Sequence, residues 1–369
     1  MKKLLADVLI LALNKIEFDA RLSNFIDTFT KLKLEIASIS LDSKEFLSIN
    51  QNAFFINIPE NLRTYIKILE FNRKGNYFLD KIVPKSILCS DIYSLPLGVK
   101  FKKKYNVKLI YDSREIYSNL ASLTRFPLKQ GFLKYFEKYF VRFVDSIIVT
   151  GELDRDYLSQ VFPSKRFFVI YNYPKKIEKT ESVNLRKNLN LAEQDILAIY
   201  EGALLEGRGI GVAIESLVYA GNLHLVIAGS GAMKAKYQNI SQALNLENRI
   251  HFLGEIPYKK LLNYTSECDV GLCLIEPVSF SYNLALPNKL FEYIQANIPV
   301  VATNLPAISS ILQNSNIGEL VEPNIEPKKL AEIIISVAQK KATFYEELQK
   351  YRNIYVWDNQ ENTILELIE

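Results

Sequence analysis

Short apolar runs separated by amphipathic stretches recur along the whole chain, and no other feature narrows its fold so far. In the second half ILAIYEG (196–202), LHLVIAG (223–229), RIHFLG (249–254), DVGLCLI (269–275), IPVVAT (298–303) and GELVE (318–322) read as buried strands. Helical patterns lie between them, among them GIGVAIESLVYAG and AMKAKYQNISQAL. DVLILAL, KLEIASIS, AFFINI, SILCSD, VKLIYDS, SIIVTG and FFVIYN repeat the theme in the first half. Strands alternating with helices mean βαβ units and parallel sheets, an α/β architecture. The spacing predicts two doubly wound, Rossmann-like domains, residues 1–175 and 176–369, joined in the polar connector NYPKKIEKTESVN (172–184). In open α/β sheets ligands sit beyond the carboxyl ends of the strands. Two such domains facing across a cleft would carry a site on each wall, so residues just after strands are the candidates.

Composition excludes several chemistries. A chain of 369 residues that is 49% hydrophobic can bury two cores. Cys89, Cys268 and Cys273 are too few for a disulfide framework and lack metal-ligand spacing. The two histidines, His224 and His251, fall inside strand patterns, which leaves little for a zinc or Ser-His-Asp site. The opening MKKLLADVLILALNKIEFDA reads as a first strand and not a signal peptide, because its apolar run breaks at Asn14 and Lys15. No stretch approaches the roughly 18 apolar residues of a membrane span, so a soluble cytoplasmic protein is expected. Charge divides unevenly. Residues 1–175 hold 28 Lys+Arg against 18 Asp+Glu, and the rest hold 17 against 23. The overall +4 hides a basic half joined to an acidic one. Such a basic half fits a phosphate-rich partner, and drift in a lysine-rich composition would look the same.

The second half concentrates strand-end candidates. AGSGAMK places Gly229, Ser230 and Gly231 at a strand-to-helix turn, where backbone can approach a phosphate. A tight turn that needs small residues reads equally well, and the third glycine of G-x-G-x-x-G is missing. In ALLEGRGIG, Arg208 sits between Gly207 and Gly209, free to reach an anion with a bidentate guanidinium. LPNKLFEYIQANIPVVAT (286–303) starts a helix at Pro287, where a missing N–H is harmless. Amide groups near Asn288, Lys289 and Leu290 then suit an anion. Lys289 and Glu292 lie one turn apart; a carboxylate there fits a sugar cis-diol and not a phosphate, although a surface Lys–Glu pair has the same spacing. Asn297 is placed for a left-handed cap before Pro299. In the first half Asp19 and Arg21, Asp91, and Asp112, Arg114 and Glu115 all follow strands, where charged residues either bind ligand or cap helices. The DRD at 154–156 is similar to the metal-binding D-x-D of some sugar transferases but lies in a helical pattern, so no metal is assigned to it.

In order and content these segments resemble the family 4 retaining glycosyltransferases of the GT-B fold, within glycosyl transferases group 1. The resemblance is strongest over residues 196–323, and ALPNKLFEYIQANIPV is its most specific block. FDARLSNF, KLIYDSREIY, VDSIIVTGE and VIYNYP extend it through the first half. YVWDNQENTILELI is similar to the family's final helix, which crosses back onto the first domain, here at about 356–369. The resemblance implies a nucleotide diphosphate sugar donor in the second domain and a lipid-linked or polysaccharide acceptor in the first. Arg208, Lys289 and Glu292 would be the catalytic set, the two cations facing the diphosphate and Glu292 the ribose. Gly202, Gly229, Ser230, Gly231, Asn288 and Leu290 would line the donor, with Glu255 and Ile256 near the base. Asp19, Arg21, Asp91, Asp112, Arg114 and Glu115 would line the acceptor. No cofactor and no metal are implied; partners are the donor, the glycan acceptor and an anionic membrane surface, not nucleic acid.

Three departures accompany the resemblance. Leu284 stands where many members carry a second glutamate, Ala203 where many carry arginine, and Arg114 where others often have histidine. They leave room for a reduced-activity or non-catalytic GT-B binding protein. A GT-B nucleotide-sugar epimerase is the other alternative, and it would need further acids and a histidine at strand ends. The expected activity is retaining hexosyl transfer in bacterial glycan biosynthesis, including lipopolysaccharide, by a cytoplasmic protein peripheral to the inner membrane face. Finally, FPLKQGFLKYFEKYFVRFVD (126–145), read as a helix from about Leu128, aligns Lys134, Lys138 and Arg142 in one stripe. Most of its aromatics, Phe132, Tyr135, Phe136, Tyr139, Phe140 and Phe143, are expected to pack on the core.

Overall fold

A computed structural model describes residues 3–16, 19–41, 52–59, 61–177 and 180–368. Phe18 of FDARLSNF, residues 178 and 179 of the polar connector, and Glu369 of the final segment lie outside the described residues. The chain divides into two compact units, Met1–Tyr171 with Gln360–Glu369, and Asn172–Asn359.

The first unit holds a parallel sheet of β1 (Leu4–Leu11), β2 (Ile36–Leu41), β3 (Ala53–Ile56), β4 (Ile82–Cys89), β5 (Lys108–Ser113), β6 (Ser146–Val149) and β7 (Arg166–Val169). Their order is β3-β2-β1-β4-β5-β6-β7. The second holds β8 (Ile196–Glu201), β9 (Leu223–Ala228), β10 (Ile250–Gly254), β11 (Val270–Cys273), β12 (Val300–Thr303) and β13 (Gly318–Val321), ordered β10-β9-β8-β11-β12-β13. Every expected strand is present. Helices cover both faces, so central strands such as β8 are buried at every residue and read as unbroken apolar runs. The fold is the expected pair of doubly wound Rossmann-like sheets.

Two boundaries differ from expectation. β4 begins at Ile82, ahead of the expected SILCSD, and so includes Pro84. Proline normally argues against a central strand, but pairing with β5 starts only at Ser86, so at Pro84 only β1 is a neighbour. The helix in GIGVAIESLVYAG ends at Ser216 and tightens into a 3-10 turn, Leu217–Tyr219.

In each sheet strand order reverses once, between β1 and β4 and between β8 and β11. At such points successive connections diverge to opposite faces and leave a crevice at the carboxyl ends. Both sets of candidate residues lie at these two places.

Candidate active site

The helix Asn288–Gln295 is held rigidly from below. Tyr293 is fully buried, and its hydroxyl lies 3.1 Å from the Leu272 carbonyl and 3.2 Å from that of Ile199. Its ring lies over Gly271, where a Cβ would come within 2.3 Å of it. Phe291 packs edge-on against Tyr173 at 4.7 Å, beside Tyr355. Each fully buried aromatic of this kind contributes on the order of 2–3 kcal/mol. Pro287 is the N-cap and not part of the first turn; its φ of −78° and ψ of 143° are extended. Asn297 adopts φ 61°, the left-handed conformation expected of the cap.

This anchoring fixes Lys289 and Glu292. Lys289 is 7% exposed, and its Nζ lies 3.5 Å from the centre of the Tyr200 ring, beside Gly202. Burial lowers its pKa to about 7, with Arg208 acting in the same direction. Burial raises that of Glu292 to about 7. A surface Lys–Glu pair is therefore excluded. Arg208 is half-buried, its guanidinium 4.4 Å from the Tyr282 ring centre. Its loop is constrained by Gly209, at φ 68°, where a Cβ would lie 2.1 Å from the Leu274 carbonyl oxygen. Two cations whose charges act on each other, with no carboxylate bridging them among the described residues, suit a dianionic ligand, which would restore the charge on Lys289.

Of the other donor candidates, Gly202 and Gly229 meet backbone to backbone, and Ser230, Gly231, Glu255 and Asn288 are exposed around them. Ile256 is half-buried. Leu290 is a core residue: its side chain is fully buried and its N–H donates to the Pro287 carbonyl at 3.1 Å. That leaves the Asn288 and Lys289 amides to face an anion at this helix start.

In the first unit, Asp19, Arg21, Asp112 and Arg114 form one ion network at the strand ends. Arg21 donates to Asp112 from Nε at 2.9 Å and from Nη2 at 2.8 Å, and from Nη1 to the Ile170 carbonyl at 2.8 Å. Arg114 donates to Asp112 at 3.0 Å and bridges to Asp19. Asp19 also caps the helix Ala20–Lys31 through the Leu22 N–H. Burial pushes the Asp19 carboxyl up, but Arg114 and the cap bond outweigh it and hold the pKa below the usual value. Asp91 accepts from the Leu13 and Ser94 amides across the β1–β4 switch. These carboxylates organise the strand ends; Arg114 Nη2 is buried without a hydrogen-bond partner among the described residues. Glu115 is exposed.

The glycosyl transferases group 1 family model matches residues 182–354, most of the second unit. The second unit is a group 1 glycosyltransferase domain. Over nearly its whole length the chain is also similar to the O-antigen biosynthesis glycosyltransferase WclY of Escherichia coli, 22% identical over 85% of this chain and 86% of that one. Solved structures share the fold. HepE of Anabaena in complex with UDP-glucose superposes with a TM-score of 0.74 at 18% identity, covering 98% of both chains. Sucrose-phosphate synthase of Thermosynechococcus elongatus gives 0.79 at 15%, again covering 98% of both. The chain has the GT-B fold.

Several residues of this candidate site carry no signal in the sequence. Tyr200 and Tyr282 supply the ring faces for Lys289 and Arg208. Thr265 donates to Glu201, the last residue of β8, which is buried at 1% exposure directly before Gly202. A carboxylate closing an otherwise apolar strand was the one available hint. His224 and His251 stack at 5.5 Å on β9 and β10, away from this end of the sheet. Among the described residues no group of three His, Cys, Asp or Glu is placed to hold a metal. Asp154 of the DRD instead accepts from Thr150 at 2.9 Å.

Proposed function

We propose that the protein is a retaining transferase that moves a hexose or similar sugar from a nucleotide diphosphate donor to a lipid-linked or polysaccharide acceptor. The observation that carries this reading is the pairing of Arg208 with buried Lys289 at the carboxyl end of β8, within the matched family domain. Two cations and a helix start neutralise the departing diphosphate, so the barrier falls through preorganised charge at the leaving group. Glu292 accepts from the ribose hydroxyls. The acceptor belongs to the first unit, at the strand ends that Asp19, Arg21, Asp112 and Arg114 organise. A similar O-antigen enzyme and a fold neighbour solved with UDP-glucose support the substrate class. The test is transfer by purified protein from a panel of UDP-, GDP- and ADP-sugars. Transfer is expected to persist in EDTA; loss on chelation with rescue by Mg²⁺ would refute the metal-free mechanism. Leu284, half-buried where many members carry glutamate, favours a second reading as a donor-binding protein with little transfer. Donor binding without turnover in that panel would establish it.

The acceptor class fits a membrane face, and the helix Pro127–Val141 supplies one. Its aromatics divide differently from expectation. Phe136, Phe140 and Phe143 are partly buried against the core, whereas Leu128, Phe132, Tyr135 and Tyr139 are 89%, 68%, 70% and 41% exposed. The helix is apolar on two sides, and only one can face the sheet. The exposed line runs beside Lys134, Lys138 and Arg142, a pattern suited to the interface of an anionic leaflet. Among the described residues no helix is long and apolar enough to cross a membrane. Each basic residue near such a surface contributes about 1 kcal/mol, screened by salt. The protein is expected to co-sediment with phosphatidylglycerol-containing vesicles at low salt and detach as salt rises. Changing Lys134, Lys138 and Arg142 together to Glu, or Phe132 and Tyr135 to Ser, should each release it while sparing nucleotide binding. Equal binding to neutral vesicles would rule out the electrostatic part of this attachment.

A further inference from the structure

Glu201 is out of place by the rules that build a strand. It ends the apolar run of β8 and is 1% exposed. One carboxyl oxygen is met by the Thr265 hydroxyl, while Oε2 is buried and has no hydrogen-bond donor. A buried carboxylate oxygen with no donor is costly unless the group is neutral or shares a proton. Lys289 acts on Glu201 only through its field, without a hydrogen bond, since its Nζ is placed over Tyr200. The group within hydrogen-bonding reach is the carboxyl of Glu292. Two carboxyls within hydrogen-bonding reach of each other in a buried site do not both ionise, so the pair retains a proton.

We propose that Glu201 is a positioning residue for nucleotide binding, donating a shared proton to Glu292 and so holding Glu292 as the acceptor for the two ribose hydroxyls. Glu201 itself is too buried to touch the nucleotide; it acts through Glu292, which is half-buried. Burial raises the Glu201 pKa furthest, and Glu292 raises it again, whereas the hydrogen bond from Glu201 lowers that of Glu292. Glu201, 1% exposed, is the more deeply buried of the two, so its ionised form is the more costly and the shared proton belongs mainly to it. Other groups facing the pair are Lys289 and Tyr293 on the same helix as Glu292, and Tyr258, Thr265 and Cys268. The cation steadies the pair's charge, and the phenols and the thiol stay protonated, so loss of the shared proton leaves two carboxylates in repulsion. The assignment rests on Glu292 meeting the ribose.

The test compares affinities for UDP, GDP and ADP with that for inorganic pyrophosphate, between pH 6 and 9. The ratio of nucleoside diphosphate to pyrophosphate affinity isolates the ribose. Lys289 feels the charge of Glu201, but it meets the phosphates of both ligands, so its titration cancels in the ratio within each variant. In the wild type the ratio is expected to fall about tenfold as alkaline pH removes the shared proton. Glu201→Gln, whose amide donates without titrating, should keep the ratio and flatten its pH dependence. Glu201→Leu should lower the ratio about tenfold at every pH. Pyrophosphate binding within twofold of wild type reports that each variant is folded; if Glu201→Leu is not, the flattened profile of Glu201→Gln decides. A wild-type pH profile in Glu201→Gln, or an unchanged ratio in Glu201→Leu, would overturn the proposal. Glu292→Gln separates the two readings. If it leaves the ratio unchanged, the ribose assignment itself fails; if it lowers the ratio and the Glu201 variants do not, only the role of Glu201 fails.

Discussion

Removing either cation at the end of β8 is expected to weaken nucleoside diphosphate binding by about ten- to a hundredfold, since one charge-assisted contact is worth roughly 1.5–3 kcal/mol. The variants are Arg208→Ala and Lys289→Met, the latter chosen because Lys289 is 7% exposed and methionine fills its space. The fold should survive both. For a buried ammonium whose pKa is driven down to about 7, burial outweighs the attraction of the neighbouring carboxyls, so its removal costs the free protein little. Lys289→Met should leave the melting temperature of the free protein unchanged or higher, and lower only the increment added by nucleotide. Isothermal titration and thermal melts measure the two quantities separately. Unchanged affinity in both variants would show that the diphosphate does not lie between these cations.

The second large effect is on stability. Gly229 has φ 150°, and a Cβ there would stand 2.0 Å from the Gly202 carbonyl oxygen. That oxygen belongs to backbone, not to the tip of a flexible side chain. The Gly202 N–H is tied to the Ala228 carbonyl at 2.9 Å, and the Gly229 N–H to Gly254 at 2.7 Å. Neither side can yield without parting the ends of the central strands. Gly229→Ala is therefore expected to destabilise the second unit by about 3 kcal/mol or more, combining overpacking with backbone strain. It should also weaken nucleotide binding, because the same displacement moves the β8 end that carries the site. Ser230→Ala, in the same turn but exposed, is the contrast and should melt like wild type. If Gly229→Ala also melts like wild type, the close approach of these two turns is wrong.

These predictions draw on residues with unequal visibility in the sequence. The strands were legible because a run such as ILAIYE is apolar over its full length, and a strand buried on both faces needs nothing else. Arg208 between glycines and the Pro-Asn-Lys start of a helix were legible for a similar reason: backbone geometry and helix ends are local. The start of β4 ahead of Pro84 was not legible, since a residue preference knows nothing of where a neighbouring strand begins.

Burial and partnership were not legible. Lys289 and Glu292 one turn apart describe a solvated pair as well as a sealed one, and only Tyr293 locked over Gly271 shows which holds. Glu201 and Glu292 lie far apart in the chain, and their shared environment exists only once β8 and the helix Asn288–Gln295 pack together. The aromatic helix Pro127–Val141 makes the same point on the outside. Its sequence is apolar on more than one side, so periodicity declares a helix but cannot choose the side that meets the sheet. What the sequence by itself determined is what neighbouring residues decide among themselves: strands, turns, helix starts and the two-domain parallel architecture. What only the tertiary structure decided is which charges are stripped of water and which apolar side chains remain in it, because desolvation depends on everything that packs around a group and not on the residues beside it in the chain.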